Sequence, residues 1–307
     1  MIISASRRTD IPAFYSEWFM NRLSEGYALI PNPRNPNRLG RVKLTPENVD
    51  CIAFWTKNPI PMFERFSLLD SMGYSYYMQF TLTAYDNTIE TNLPPKAELL
   101  QAFIEMSKQI GACRSIWRYD PIIIDIKHPV EWHIDQFTAM CERLQSYMER
   151  CVISFVDPYK SLNNRYRALT NGEMIAIASS FAEIADKYGI TLYTCAEEIE
   201  LSQYGIKHGS CIDQQLIEKI IGSRIAAKNG TNQRAACRCI ESIDIGAYDT
   251  CSHGCAYCYA TSSTKTVLRR MGAHDPHSPM IAGHPKGDEI ITERTISSQK
   301  INQLSLF

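Results

Sequence analysis

The sequence has no apolar run approaching the roughly 18 residues of a membrane span, and its first residues, MIISASRRTD, show no basic segment followed by an apolar one. Neither a membrane helix nor a secretory signal is therefore expected, and a cytoplasmic location is. An excess of one charge is also missing, since 32 Lys and Arg stand against 33 Asp and Glu. The resulting net charge of −1 makes no broad electrostatic case for nucleic acid. A basic stripe with interleaved aromatics, which would track a single strand, is absent as well, and no internal repeat is visible. What remains is a chain of 307 residues, 45% apolar and 21% charged, with enough apolar material for one large core.

Cysteine is the residue in excess, with 11 in the chain. Disulfides are disfavoured in the cytoplasm, so clustered thiols there point to metal or redox chemistry. Cys51, Cys113, Cys141 and Cys151 are scattered among apolar neighbours and read as buried structural thiols. The other seven, Cys195, Cys211, Cys237, Cys239, Cys251, Cys255 and Cys258, all fall in the second half.

Short β-rich runs are predicted at Ile2–Ser6, Cys51–Thr56, Tyr76–Thr83, Ser115–Tyr119, Cys151–Val156, Ile190–Cys195 and Ile243–Tyr248. Several are nearly continuous apolar runs, as suits strands buried on both faces. Amphipathic helices lie between them. One carries Leu99, Phe103, Met106 and Ile110, a second Ile134, Phe137, Cys141 and Leu144, and a third Met174, Ala178, Phe181 and Ala185 before Gly189. A fourth carries Leu216, Ile217, Ile220 and Ile221 before Gly222. Repeated β-α-β units predict an α/β fold, a full or partial parallel β/α barrel spanning 1–268, with chemistry at the C-terminal ends of the strands. Polar residues collect at those ends: Ser6 to Asp10, Thr56 to Pro59, Thr81 and Thr83, Arg118 and Asp120, Asp157, and Glu197 with Glu198. From Arg269 to 307 the composition turns to Gly, Pro, His and polar residues, and a loosely packed tail is expected.

Cys251-x3-Cys255-x2-Cys258 offers three soft thiolates to one metal centre. On spacing alone zinc and iron–sulfur both fit, and His253, or Cys237 and Cys239, could complete a closed site. The context adds a predicted strand just before the loop and an aromatic, Tyr257, just before the third cysteine. This arrangement resembles the cluster loop of the radical S-adenosylmethionine superfamily. The resemblance implies a 4Fe-4S cluster on Cys251, Cys255 and Cys258, S-adenosylmethionine on its free iron, Tyr257 beside the adenine, and a flavodoxin or ferredoxin as reductant.

The middle of the chain carries the resemblance further. Phe80 to Tyr85, Ile89-Glu90, Leu93-Pro94-Pro95, Ile110-Gly111 and Trp117 to Ile123 form an ordered series that is similar to the central region of spore photoproduct lyase and the photolyase-like branch. Thr56 to Pro59 and Arg8 to Pro12 fit the same group, as does an uncharacterised bacterial family with this late cysteine motif. Two departures stand out. The superfamily's loop follows its first strand, whereas here it comes last, which implies a circularly permuted barrel whose strand before Cys251 lies next to Ile2–Ser6. The superfamily's Gly-Gly-Glu stretch is absent, which leaves its contacts to Arg7, Arg8 or Asp10, with Thr81 and Thr83 as further cofactor contacts.

The residues outside the loop keep two readings each. Arg118 and Asp120 could touch cofactor or substrate, or form a structural ion pair. Glu197 and Glu198 could do acid–base work or be solvated. Cys195, Cys211, Cys237 and Cys239 could fill a second iron–sulfur cluster or a zinc site, or be ordinary thiols around a Cys-x-Cys pair. The last five residues, QLSLF, closely resemble a bacterial sliding-clamp docking peptide, with Gln303, Leu304, Leu306 and Phe307 as its contacts. Clamp docking and the photolyase-like resemblance together favour nucleic acid, through DNA repair or modification, as substrate. Two other function classes stand beside a radical enzyme of that kind. One is a non-enzymatic zinc or iron–sulfur protein in redox sensing or clamp association; the other is radical chemistry on a small metabolite or peptide. The type of bound metal separates the first from the enzyme.

Overall fold

The computed structural model describes residues 1–159, 165–231, 233–294 and 297–301. The candidate docking residues Gln303, Leu304, Leu306 and Phe307 lie outside the described residues.

The strands β1 (Ile2–Ala5), β4 (Cys51–Thr56), β5 (Tyr76–Thr81), β6 (Ser115–Ile122), β7 (Arg150–Phe155), β8 (Thr191–Cys195), β9 (Lys207–Gly209) and β10 (Ile243–Asp244) form one eight-stranded sheet. Its order is β10-β1-β4-β5-β6-β7-β8-β9, and every neighbour is parallel. The last strand in sequence thus lies beside the first, with Ile3 opposite Ile243 and Ser4 opposite Asp244. Among the described residues β9 and β10 do not pair, so the sheet is a partial barrel open along one seam.

Alternation along the strands divides the core. Ile52, Phe54, Trp117 and Tyr119 face one apolar cluster with the helices α2 (Ser16–Glu25), α4 (Lys96–Ile110), α5 (Val130–Leu144) and α6 (Asn171–Lys187). Cys51, Ala53, Tyr77, Ile116 and Val152 face the other, covered by Leu216 and Ile217 of α7 (Gln214–Ile221) and by Ile212, Cys239 and Ile240. That second cluster fills the floor of the half-barrel and leaves its upper end free for a site. The helix ends follow ordinary capping chemistry. Thr170 and Glu173 make a reciprocal capping box on α6, and Gly222 ends α7 in the left-handed region. Of the four thiols read as buried, Cys51, Cys141 and Cys151 are fully buried, whereas Cys113 is only half-buried.

Three predictions change. The predicted strand Ile243–Tyr248 keeps only its first two residues, because the chain passes tightly over β1 at Gly246, where a Cβ would lie 2.1 Å from Ser6 Oγ. A hairpin of β2 (Tyr27–Asn32) and β3 (Asn35–Lys43), joined by β11 (Ile290–Glu293), forms a second sheet that was not predicted. The segment after Arg269 is not a loose tail throughout. The helix α8 (Thr264–Gly272) runs across that boundary. Beyond it Trp18 Nε1 donates to Ser278 O at 2.9 Å, Leu29 N donates to Pro279 O at 2.8 Å, and Ile281 is buried. No helix among the described residues is long and apolar enough to cross a membrane.

Candidate metal and cofactor site

The C-terminal ends of the strands open into one cavity of about 790 Å³. Its walls include Arg7 and Asp10 after β1, Thr56 and Lys57 at the end of β4, Thr81 on β5, Arg118 and Asp120 on β6, and Cys195 on β8. Cys251, Cys255, Tyr257 and Cys258 form another wall, and Cys211, Cys237 and Cys239 a further one. All seven late cysteines thus line the same space. A second cleft, of about 680 Å³, lies outside the seam between Tyr193, Asp213, Arg224 and Ile240, and no cysteine lines it.

The three-cysteine loop is clamped from outside by residues 89–92. Ala256 N donates to Ile89 O at 2.8 Å, Asn92 N to His253 O at 2.9 Å, and Asn92 Nδ2 to Ser252 O at 2.7 Å. Gly254, in the left-handed region at φ +70°, allows the turn. Beneath the loop lies a buried carboxylate, Glu90. It accepts hydrogen bonds from Lys57 Nζ at 2.7 Å, Thr83 Oγ1 at 3.0 Å, Lys96 Nζ and the Tyr257 hydroxyl. Burial alone would raise its pKa; Lys57 and Lys96 outweigh burial and hold it at about 2. Burial also pushes the Cys255 thiol up to about 12 and the Cys251 thiol well above its ordinary value, with the neighbouring thiols adding to the effect. Ionising Cys251 and Cys255 together therefore needs a positive centre beside them.

The residues predicted to replace the Gly-Gly-Glu stretch divide. Asp10 caps α1 (Ile11–Phe14) by accepting from Ala13 N at 3.0 Å, and it also accepts from Lys57 N at 2.7 Å. Its remaining contact is His253 Nε2, at 2.8 Å. That ring is held by Asp10, not by the cysteines, and its buried Nδ1 has no partner among the described residues. Arg8 is taken up by Asp244, with Nε 3.0 Å from Oδ1. Arg7 differs, because its guanidinium stands in the cavity 6.0 Å from the Trp55 ring. Thr81 faces the cavity, whereas Thr83 is buried against Glu90. Arg118 is a buried ion-pair partner of Asp120. Its Nη1 donates to Gln79 Oε1 at 3.0 Å and to Cys211 Sγ at 3.3 Å, which ties it to the second set of thiols. Glu197 caps the end of β7, accepting from Ser154 Oγ at 2.7 Å and Phe155 N at 3.0 Å, and Glu198 is exposed. Lys57 and Glu90 stood in stretches the sequence singled out, but their meeting with Lys96 was not foreseen, since charged residues from separate segments give no local pattern.

Among the described residues no group of three or more His, Cys, Asp or Glu side chains is yet arranged to hold a metal ion. The thiols converge on the cavity but keep thiol-to-thiol contacts, as at Cys195 and Cys211, whose sulfurs are 3.0 Å apart.

A family profile described as a domain of unknown function, DUF1848, matches residues 2–260. The chain belongs to the DUF1848 family. The DUF1848 match takes in every strand of the large sheet and the whole three-cysteine loop. No curated protein matches the chain. A solved structure described as a "putative alpha-L-fucosidase" from Bacteroides thetaiotaomicron is similar at 13% identity, covering 74% of this chain and 82% of that one with a TM-score of 0.28.

Proposed function

We propose that the chain is a radical S-adenosylmethionine enzyme whose 4Fe-4S cluster is held by Cys251, Cys255 and Cys258. The observation that carries this reading is the position of the loop. Three thiols of the superfamily's spacing line a cavity at the C-terminal ends of parallel strands, and Glu90 fixes the Tyr257 hydroxyl beneath them. The donor set suits such a cluster, because three soft thiolates leave one iron without a protein ligand. His253, the nearest alternative ligand in sequence, is held by Asp10 instead.

The same reading makes the barrel a circular permutation. In sheet order β10 precedes β1, so the thiol loop follows the first strand in space although it comes last in sequence.

Held by Cys251, Cys255 and Cys258, such a cluster would supply one-electron reduction of S-adenosylmethionine, the chemistry that starts hydrogen abstraction from a substrate in the superfamily. The chain's own part is positioning and exclusion of water. Residues 89–92 and Glu90 fix the loop, and Tyr257 offers an aromatic wall. Among the described residues Arg7 has no ion-pair partner and could meet a carboxylate, whereas Arg8 and Arg118 are engaged by Asp244 and Asp120.

Electron paramagnetic resonance on anaerobically purified, reduced protein tests this. A 4Fe-4S signal should appear, change when S-adenosylmethionine is added, and vanish in Cys255→Ala. A signal indifferent to S-adenosylmethionine, or no cluster signal, overturns the reading.

A further inference from the structure

The half-barrel is open between β9 and β10, and the four remaining late cysteines stand around that opening. Cys195 ends β8, Cys211 follows β9, and Cys237 and Cys239 precede β10. The seam itself has little regular pairing. Ile240 N donates to Ile212 O at 3.1 Å, and Gly230 N to Cys239 O at 2.9 Å. We propose that Cys195, Cys211, Cys237 and Cys239 hold one tetrahedral divalent ion, zinc by its chemistry, which closes the seam of the barrel.

The sulfurs come from three separate segments yet line one cavity. Cys195 Sγ lies 3.0 Å from Cys211 Sγ, and Cys239 Sγ is held by the residue after Cys211. The surrounding donors point at sulfur. Ile212 N donates to Cys239 Sγ at 3.4 Å, and the buried Arg118 donates to Cys211 Sγ at 3.3 Å. A neutral thiol is a weak acceptor, so a buried guanidinium facing one gains little. Facing a metal-bound thiolate, the same guanidinium makes the outer-shell hydrogen bond that ligating sulfurs favour. The backbone of Cys211 is held as well, its carbonyl accepting from the Tyr77 hydroxyl at 2.6 Å and Gln79 Nε2 at 3.1 Å.

Spacing separates one ion from a cluster. Zinc–sulfur bonds of about 2.3 Å place tetrahedral sulfurs about 3.8 Å apart. A cubane binds each thiolate to a different iron and spreads the sulfurs wider. The 3.0 Å pair is nearer the tetrahedral edge than a cubane's wider spacing. Binding releases the four thiol protons and leaves a unit of charge 2−. Arg118, Arg7 and Arg234 are the cations near these sulfurs, and Asp120 and Asp157 pair with the first and last of them.

The test uses the full chain, purified anaerobically from medium containing both zinc and iron. Metal analysis should find one zinc per chain, and zinc-edge X-ray absorption should show four sulfurs at about 2.3 Å. Cys211→Ser and Cys239→Ser should each lose that zinc, while Cys255→Ala should keep it. Iron in place of zinc on these four cysteines overturns the proposal, as does a zinc with nitrogen or oxygen ligands. A Cys195–Cys211 disulfide in metal-free protein overturns it equally. If the serine variants fail to fold, the absorption edge of the unaltered protein still decides. The zinc does not depend on the cluster loop, so this proposal and the radical-enzyme reading can fail separately.

Discussion

At the scale of single residues, Glu90 is the centre of the site although it ligates nothing itself. It is nearly inaccessible and faces two ammonium groups, Lys57 and Lys96, that are themselves mostly covered. Removing the charge from one member of such a group leaves the others buried without compensation. Glu90→Gln should therefore cost about 3 kcal/mol, read from the midpoint of denaturant unfolding, and should lower iron content by loosening the loop. Tyr257→Phe removes a single hydrogen bond and should cost about 1 kcal/mol. Equal costs for the two variants would mean that the lysines gain nothing from Glu90. The three thiols proposed to hold the cluster were legible because their spacing is local. The sequence named Glu90 only within the family-like series Ile89-Glu90 and not as an ion-pair centre, because its partners arrive from other segments. Asp10 is ambiguous for a related reason: a carboxylate after a strand can meet a ligand or cap a helix, and here it lines the cavity while one oxygen accepts from Ala13 N.

At the scale of elements, the weak joint is β10. Two residue pairs connect it to β1, yet it carries the chain into the three-cysteine loop. Asp244 makes up the difference. Its carboxylate accepts from Ser4 Oγ at 2.9 Å, Ser6 Oγ at 2.6 Å, Arg7 N at 3.1 Å, Arg8 Nε at 3.0 Å and Gly246 N at 3.0 Å. Asp244→Ala would leave these donors unmet and Arg8 without its anion, at a cost of about 3 kcal/mol. Asp244→Asn keeps an acceptor and should cost less. A smaller loss in the alanine variant than in the asparagine variant would contradict this account of the joint. The long apolar strands and periodic helices were legible: Cys51–Thr56 has the predicted bounds, and Gly222 ends α7 as read. The hairpin β2–β3 was not, because Pro31, Asn32, Pro33 and Pro36 break any strand pattern there; Pro31 and Asn32 flank a bulge on the edge strand β2.

At the scale of the whole molecule, the repeat of strands and helices made a parallel sheet readable, whereas its closure was not. Closure depends on whether the outermost strands meet, and β9 and β10 have only three and two residues to meet with. The sheet should therefore be graded in stability from its centre to its seam. β4, β5 and β6 are each paired on both sides and buried on both faces, so their amides should exchange only through global unfolding. Amides of β9, of residues 210–212 and 237–241, and of β10 should exchange through local opening, which hydrogen exchange followed by mass spectrometry resolves by segment. A zinc chelator should accelerate the seam segments while leaving β4 to β6 unchanged, because an ion there would bridge chain ends that backbone pairing does not. Uniform acceleration across all eight strands would mean that the sheet opens as one unit and that the seam is no weaker than the rest.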